Sequence, residues 1–286
     1  MLSERILIAG YGARGRIHEA AAEGLLPHSH VSIYDPKMRD YLLLLEEGTD
    51  APSFTNSTNR LQEIAPCSVA IVATPIKYHL DAVTNVIDTC STLIVEKPAG
   101  CSLSEVTEIQ RIGQKAKKRI LVGYSERFNN EYRKALQEAI ISSIKDNKAT
   151  ITVLRERPPP LYTGQSRHNP ALELLVHDID LVLWLLPRGM NAICVDKHFG
   201  EKEARVRLQV AKTFLSINLV SRFSKNRHQQ IAILNDNNYE RTVFVNEHIT
   251  AESRIYQARQ QILSCINGDG ACASIDDALA VHKILE

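Results

Sequence analysis

The run RILIAGYGARGRIH, residues 5–18, constrains the fold more than any other stretch. An apolar, β-rich segment leads directly into Gly10, Gly12 and Gly15 at the mouth of a helical segment. At those spacings glycines make a tight turn, let backbone approach a pyrophosphate, and let a helix pack closely on a strand, so the run predicts the start of a βαβ unit. The alternation continues with VSIYD (31–35), VAIVAT (69–74), TLIVE (92–96) and RILVGY (119–124). Helical candidates lie between them at 14–25, 77–89 and 103–117, the last opened by Ser102 or Ser104 as N-cap. This rhythm predicts a doubly wound parallel sheet, a dinucleotide-type domain over residues 1–124.

After residue 148 the pattern changes. Segments 149–157, 192–199, 203–211, 213–221, 228–235 and 240–246 read as strands joined by short polar turns, with partial alternation in RVRLQV and TFLSINLV. That predicts an α+β domain over 125–286 with an open antiparallel sheet covered on one face. Helices at 251–266 and 275–285 close the chain, the last expected to pack back on the first domain. A chain of 286 residues is long enough for two such domains.

Lys and Arg number 34 against 33 Asp and Glu. A net charge of +1 advertises neither a nucleic-acid nor an anionic-membrane partner and leaves a small charged substrate open. The six cysteines (67, 90, 101, 194, 265, 272) form no CxxC pair and have no histidine spaced for zinc, which predicts free thiols in a reducing cytoplasm and no bound metal. No signal peptide and no run of membrane-spanning length is visible.

Three places carry chemistry. Asp35 ends the second strand 20 residues after Gly15, where a carboxylate accepts hydrogen bonds from both ribose hydroxyls and repels a 2′-phosphate. NAD(H) is therefore expected over NADP(H), with Lys37 and Arg39 pulling the other way. A glycine-rich turn without a ligand is the bland alternative. ATPIKYH and VEKPAG follow the ends of parallel strands, where ligands of open α/β sheets bind. Pro98 forces Lys97 into an extended conformation and aims its side chain, although a lysine at a strand end is most often solvated surface.

The third place is ALELLVHDIDLVLWLL, 171–186, a run too short and too charged to span a membrane. As an α-helix it sets Glu173, His177 and Asp180 at roughly 0°, 40° and −20°, one polar stripe on an apolar rod, with Asp178 off it. Buried carboxylates and imidazoles are costly unless paired, so the stripe either closes a structural network or faces a wet pocket.

Taken in order, GxGxxGRxH (10–18), ATPxxxH (73–79), EKP (96–98), VGYxxRFN (122–129) and ExxxHDID (173–180) resemble the glucose-fructose oxidoreductase, inositol dehydrogenase and rhizopine-catabolism (Gfo/Idh/MocA) family. The resemblance spans nearly the whole chain, to SIDDALAVHKILE. It implies a Rossmann domain that holds the cofactor through Gly10, Tyr11, Gly12, Ala13, Arg14, Gly15, Arg16 and Asp35. Thr74, Pro75, His79, Glu96 and Lys97 would complete that set. It implies further that Lys97, His177 and Glu173 meet substrate and nicotinamide in a cleft between the domains. His177 would be the general base, Lys97 would stabilise the alkoxide or pass on its proton, and Glu173 would orient one of them or a substrate hydroxyl. The family resemblance also suggests a cis Lys97–Pro98 bond, and a homodimer or homotetramer formed through the C-terminal sheet.

One departure is Glu173, where the family usually has Asp. It leaves room for a different substrate or a weakened activity, and with it a rival reading as a catalytically inactive NAD(H)-binding regulator or scaffold. The motifs are most similar to the branch that oxidises nucleotide-linked amino sugars such as UDP-N-acetylglucosamine. Arg127, together with Arg155, Arg157, Tyr162, Arg167 and His168 on and after the strand at 149–157, would then contact the substrate. Guanidinium forks bind phosphate oxygens in pairs; the other reading of 154–170 is a proline-stiffened surface loop.

Overall fold

The computed structural model describes residues 5–27, 30–36, 57–58, 65–145, 149–159, 171–235, 240–246 and 250–286. Two compact units emerge, Met1–Tyr124 with Ala251–Leu279, and Ser125–Thr250 with Ala280–Glu286.

In the first unit, β1 (Ile6–Ala9), β2 (Val31–Tyr34), β3 (Ser57–Thr58), β4 (Cys67–Val72), β5 (Cys90–Glu96) and β6 (Arg119–Gly123) lie in the order β6-β5-β4-β1-β2-β3, every neighbour parallel. The order reverses at β1, so the turn that follows it opens on the crevice where doubly wound sheets bind their ligands. Ile6, Leu7, Ile8, Ile71, Leu93 and Ile94 are wholly buried, as strands covered on both faces require. The helices are α1 (Ala13–Glu23), α2 (His79–Val86) and α3 (Leu103–Ala116). Short 3₁₀ turns, Ile76–Tyr78 and Ile87–Thr89, flank α2, so the helix expected over 77–89 comes in three pieces. Ser102, not Ser104, caps α3: its hydroxyl accepts from the Glu105 amide at 3.2 Å.

The second unit contains α4 (Asn130–Lys145), β7 (Ala149–Arg157), α5 (Val176–Leu185), β8 (Ala192–Phe199), β9 (Glu203–Val210), β10 (Ser216–Phe223), β11 (His228–Asn235) and β12 (Glu240–Asn246). Its sheet runs β12-β11-β7-β10-β9-β8. The pairings are antiparallel except β7 with β10, which the long connection between them, through α5, β8 and β9, permits. Strand β10 begins three residues later than its sequence suggests, because Ala211 and Lys212, the latter at φ 65°, make the turn out of β9. The sequence reading has no helix at α4, although Tyr132, Leu136, Ala139, Ile140 and Ser143 make a buried stripe of helical period.

The segment 171–186 is not one α-helix. Ala171–Leu175 is π-helical and only Val176–Leu185 is α-helical, so an angular stripe drawn at one fixed step does not hold across the join. A second correction concerns α6 (Ala251–Asn267), which belongs to the first unit rather than the second. Its stripe of Ala258, Ile262 and Cys265 needs an apolar surface and finds it on the α1 side, where Gly24 leaves room for the Arg259 guanidinium. Strand β13 (Ala273–Ser274) then adds antiparallel to β6, and α7 (Ile275–Leu285) passes from the first unit into the second. Among the described residues no helix is long and apolar enough to cross a membrane.

Candidate functional site

Each glycine of the first turn has a distinct reason to be there. Gly10 sits at φ +101°, and a Cβ on it would lie 2.7 Å from the Thr74 nitrogen. A Cβ on Gly15 would lie 2.1 Å from the Gly10 oxygen. Gly12 meets nothing within 4 Å, so only there does backbone face open space, at the N-cap of α1, which no side chain caps. Uncapped helix N–H groups beside an open backbone suit a pyrophosphate. Asp35 lies at the end of β2, its Oδ2 accepting from the Tyr11 amide at 2.7 Å, so this carboxylate braces the turn. The Tyr11 phenol donates to Glu19 at 2.7 Å, and burial, followed by the Glu19 hydrogen bond and charge, pushes its pKa up. Arg16 lies over that ring, 5.5 Å from its centre. Ala13 and Arg14 open α1. These residues fit a nicotinamide dinucleotide.

At the end of β5, Glu96 is buried, 2.7 Å from His18 Nε2 and 3.8 Å from Arg14 Nε. Burial works to raise its pKa, but the Arg14 charge, the His18 hydrogen bond and charge, and Lys97 outweigh it and bring it to about 2. Because this folded-state value lies below the ordinary 4.5, the associated stability is present above pH 4.5 and is lost as pH falls towards about 2. The loss should reach on the order of 3 kcal/mol, and Glu96→Gln should remove that part of the acid dependence. Urea midpoints taken from neutral pH downwards test this; equal acid slopes in the two proteins would contradict it.

Lys97 is buried, and the Lys97–Pro98 bond is cis. Pro75 is exposed ahead of the turn that leads to α2. His79, expected at the cofactor from sequence, bridges the two strand-end loops. It is buried, with Nε2 2.9 Å from the Thr74 carbonyl and Nδ1 3.3 Å from that of Ala99. Burial lowers its pKa, so the ring is neutral and donates to one carbonyl, the nearer.

In the second unit, His177 lies in the first turn of α5, 6% exposed. Glu173, in the π-helical turn, pairs with Arg157 at 2.8 Å, both side chains partly exposed. The two aspartates of the segment point to buried partners. Asp178 receives Arg155 Nε and Nη2 at 2.9 and 2.7 Å and the Tyr132 hydroxyl at 2.6 Å. Arg155 Nη1 also donates to Glu126 at 2.8 Å, and Asn129 donates to the other Glu126 oxygen at 2.9 Å. Asp180 holds Arg127 through two bonds of 2.8 and 2.6 Å, with the guanidinium stacked 5.0 Å from the Trp184 ring centre. Burial opposes the charge on Arg155, but Asp178 and then Glu126 more than compensate and hold it protonated.

The profile of the Gfo/Idh/MocA oxidoreductase family, described as an NAD-binding Rossmann fold, matches residues 4–124. Over those residues the chain is similar to the NAD-binding domain of that oxidoreductase family. The rhizopine catabolism protein MocA of Rhizobium meliloti is 24% identical over 63% of the chain, which spans 56% of that relative's length. The myo-inositol 2-dehydrogenase of Lactobacillus plantarum shares the fold at a TM-score of 0.73 and 13% identity, over 98% of this chain and 94% of that one. The UDP-N-acetylglucosamine 3-dehydrogenase of Acidithiobacillus ferrooxidans does so at 0.66 and 15%, over 99% and 95%.

Two of the substrate residues expected from sequence lie inside the second unit. Arg127 and Arg155 are each buried and paired with internal carboxylates. Arg157 is partly exposed, while Tyr162, Arg167 and His168 lie outside the described residues. Sequence reasoning passed over Asp178 and His18. Asp178, a carboxylate on the apolar side of a buried helix, signalled its need of a partner; His18 stood in the first motif without a role.

Proposed function

We propose that the protein is a dehydrogenase that transfers hydride between a secondary alcohol of a sugar or polyol and NAD(H), with Lys97 and His177 as catalytic residues and Glu173 orienting a substrate hydroxyl. The observation that carries this reading is Lys97 held next to buried, ionised Glu96 at the end of β5, in the NAD-type unit whose Gly12 faces open space. Bound nicotinamide supplies the carbon that takes the hydride. His177 accepts the hydroxyl proton as general base. The Lys97 ammonium stabilises the negative charge growing on the alcohol oxygen. The names of the two similar structures, a myo-inositol and a UDP-sugar dehydrogenase, support hydroxylated rings as substrates. Burial of Arg155, one arginine of the expected diphosphate clamp, and of Arg127 favours a free polyol over a nucleotide-linked sugar.

Engagement of Glu173 by Arg157 favours a second reading, a regulator that binds NAD(H) without turnover. Incubation with NAD+ and a panel of inositols, sugars and UDP-sugars separates the two: the dehydrogenase reading expects reduced nicotinamide to accumulate, whereas tight NAD+ binding without reduction supports the regulator. In the same titrations NAD+ should bind more tightly than NADP+ by at least tenfold, about 1.4 kcal/mol, and Asp35→Ala should narrow the gap. Tighter NADP+ binding to the unaltered protein would overturn the preference.

A further inference from the structure

We propose that His18 is a positioning residue for Lys97, acting through the Glu96 carboxylate. The proposal rests on the dehydrogenase reading only for what Lys97 does. His18 Nε2–H donates to Glu96 Oε1 at 2.7 Å, and the other oxygen, Oε2, accepts from the Lys97 backbone amide at 3.3 Å. The carboxylate thus joins the second turn of α1 to the backbone of the lysine. His18 is 1% exposed and Glu96 4%, so water does not compete for either bond. Arg14, one helical turn before His18 on the same face of α1, faces Oε2 at 3.8 Å. Behind the carboxylate, β6 leaves no slack: a Cβ on Gly123 would lie 3.2 Å from the Glu96 carboxyl carbon. The helix that starts at the open Gly12 turn is therefore tied to the strand end that carries Lys97, which couples the alignment of a dinucleotide on that turn to the alignment of the ammonium. A displacement of about 1 Å in a reacting group is enough to cost roughly a hundredfold in rate.

The test uses His18→Leu, which removes the donor, His18→Gln, which offers an amide N–H at the same reach as Nε2, and Glu96→Gln, which keeps shape and loses charge. Lys97 is read without substrate by reductive methylation with 13C-formaldehyde, its signal identified as the one missing from Lys97→Arg. In His18→Leu the midpoint of that signal should move by ~0.5 pH unit or more; His18→Gln should restore it, and Glu96→Gln should lower it because an adjacent negative charge is gone. With a substrate in hand, His18→Leu should lower kcat by roughly ten- to a hundredfold while KM and the NAD+ Kd change by less than about threefold. A midpoint that stays put in both His18→Leu and Glu96→Gln overturns the proposal, as does a normal kcat in His18→Leu. Should His18→Leu fail to fold, Glu96→Gln and His18→Asn, whose amide is too short to reach the carboxylate, carry the same comparison. If no alcohol is oxidised by the unaltered protein, the dehydrogenase reading fails, and the Lys97 midpoint still decides the role of His18.

Discussion

His177→Ala should lower kcat by about 10² to 10⁴ while leaving NAD+ affinity within roughly twofold, because general-base assistance acts in the transition state and the ring does not hold the cofactor. Lys97→Ala should cost a similar factor. On the proposed mechanism both groups serve one proton transfer, so the double variant should lose far less than the product of the single losses. Steady-state kinetics with the best alcohol, alongside NAD+ titration, make the comparison. Fully multiplicative losses would mean independent roles. Unchanged turnover in His177→Ala would return this buried histidine to a structural part in α5.

The second large effect is on stability. Arg155→Ala leaves the Asp178 carboxylate, 1% exposed, and that of Glu126 without their shared counter-charge, which should destabilise the protein by about 3–5 kcal/mol. That is a large part of the 5–15 kcal/mol typical of a folded domain. Arg155→Met combined with Asp178→Asn and Glu126→Gln should recover much of the loss, since none of the three positions then carries a buried charge. By contrast Glu173→Gln, which breaks the partly exposed pair with Arg157, should cost no more than about 1 kcal/mol. Denaturant unfolding measures all three. An Arg155→Ala protein of normal stability that has lost affinity for UDP-sugars would reinstate the diphosphate clamp.

Much of the architecture is legible in the chain because it depends on neighbours in sequence. The strand into Gly10, Gly12 and Gly15, followed by a carboxylate 20 residues on, is a local pattern, and the backbone at Gly10 and the contact at Gly15 show why no other residue serves there. The alternation of Ala204, Val206, Leu208 and Val210 with exposed Arg205 and Arg207 announces β9 for the same reason: one face of the strand is dry and the other wet. Helix α4 was equally legible, its buried positions recurring at the helical period, and went unread.

Other features were not in the local pattern at all. Glu173, His177, Asp178 and Asp180 have much the same propensities on one short segment, yet one is tied to a partly exposed arginine, two are neutralised inside the second unit, and His177 is buried on the same helix. What separates them is the change from π to α winding at Val176 and the approach of Arg155, Arg127 and Tyr132 from elements 23, 53 and 46 residues away. The membership of α6 in the first unit, and the link from His18 to Glu96 across 78 residues, have the same character. Period, turn chemistry and strand rhythm follow from interactions along the chain. Which buried charge meets which partner follows from the faces that packing brings together, because a desolvated carboxylate is stable only where a distant donor arrives.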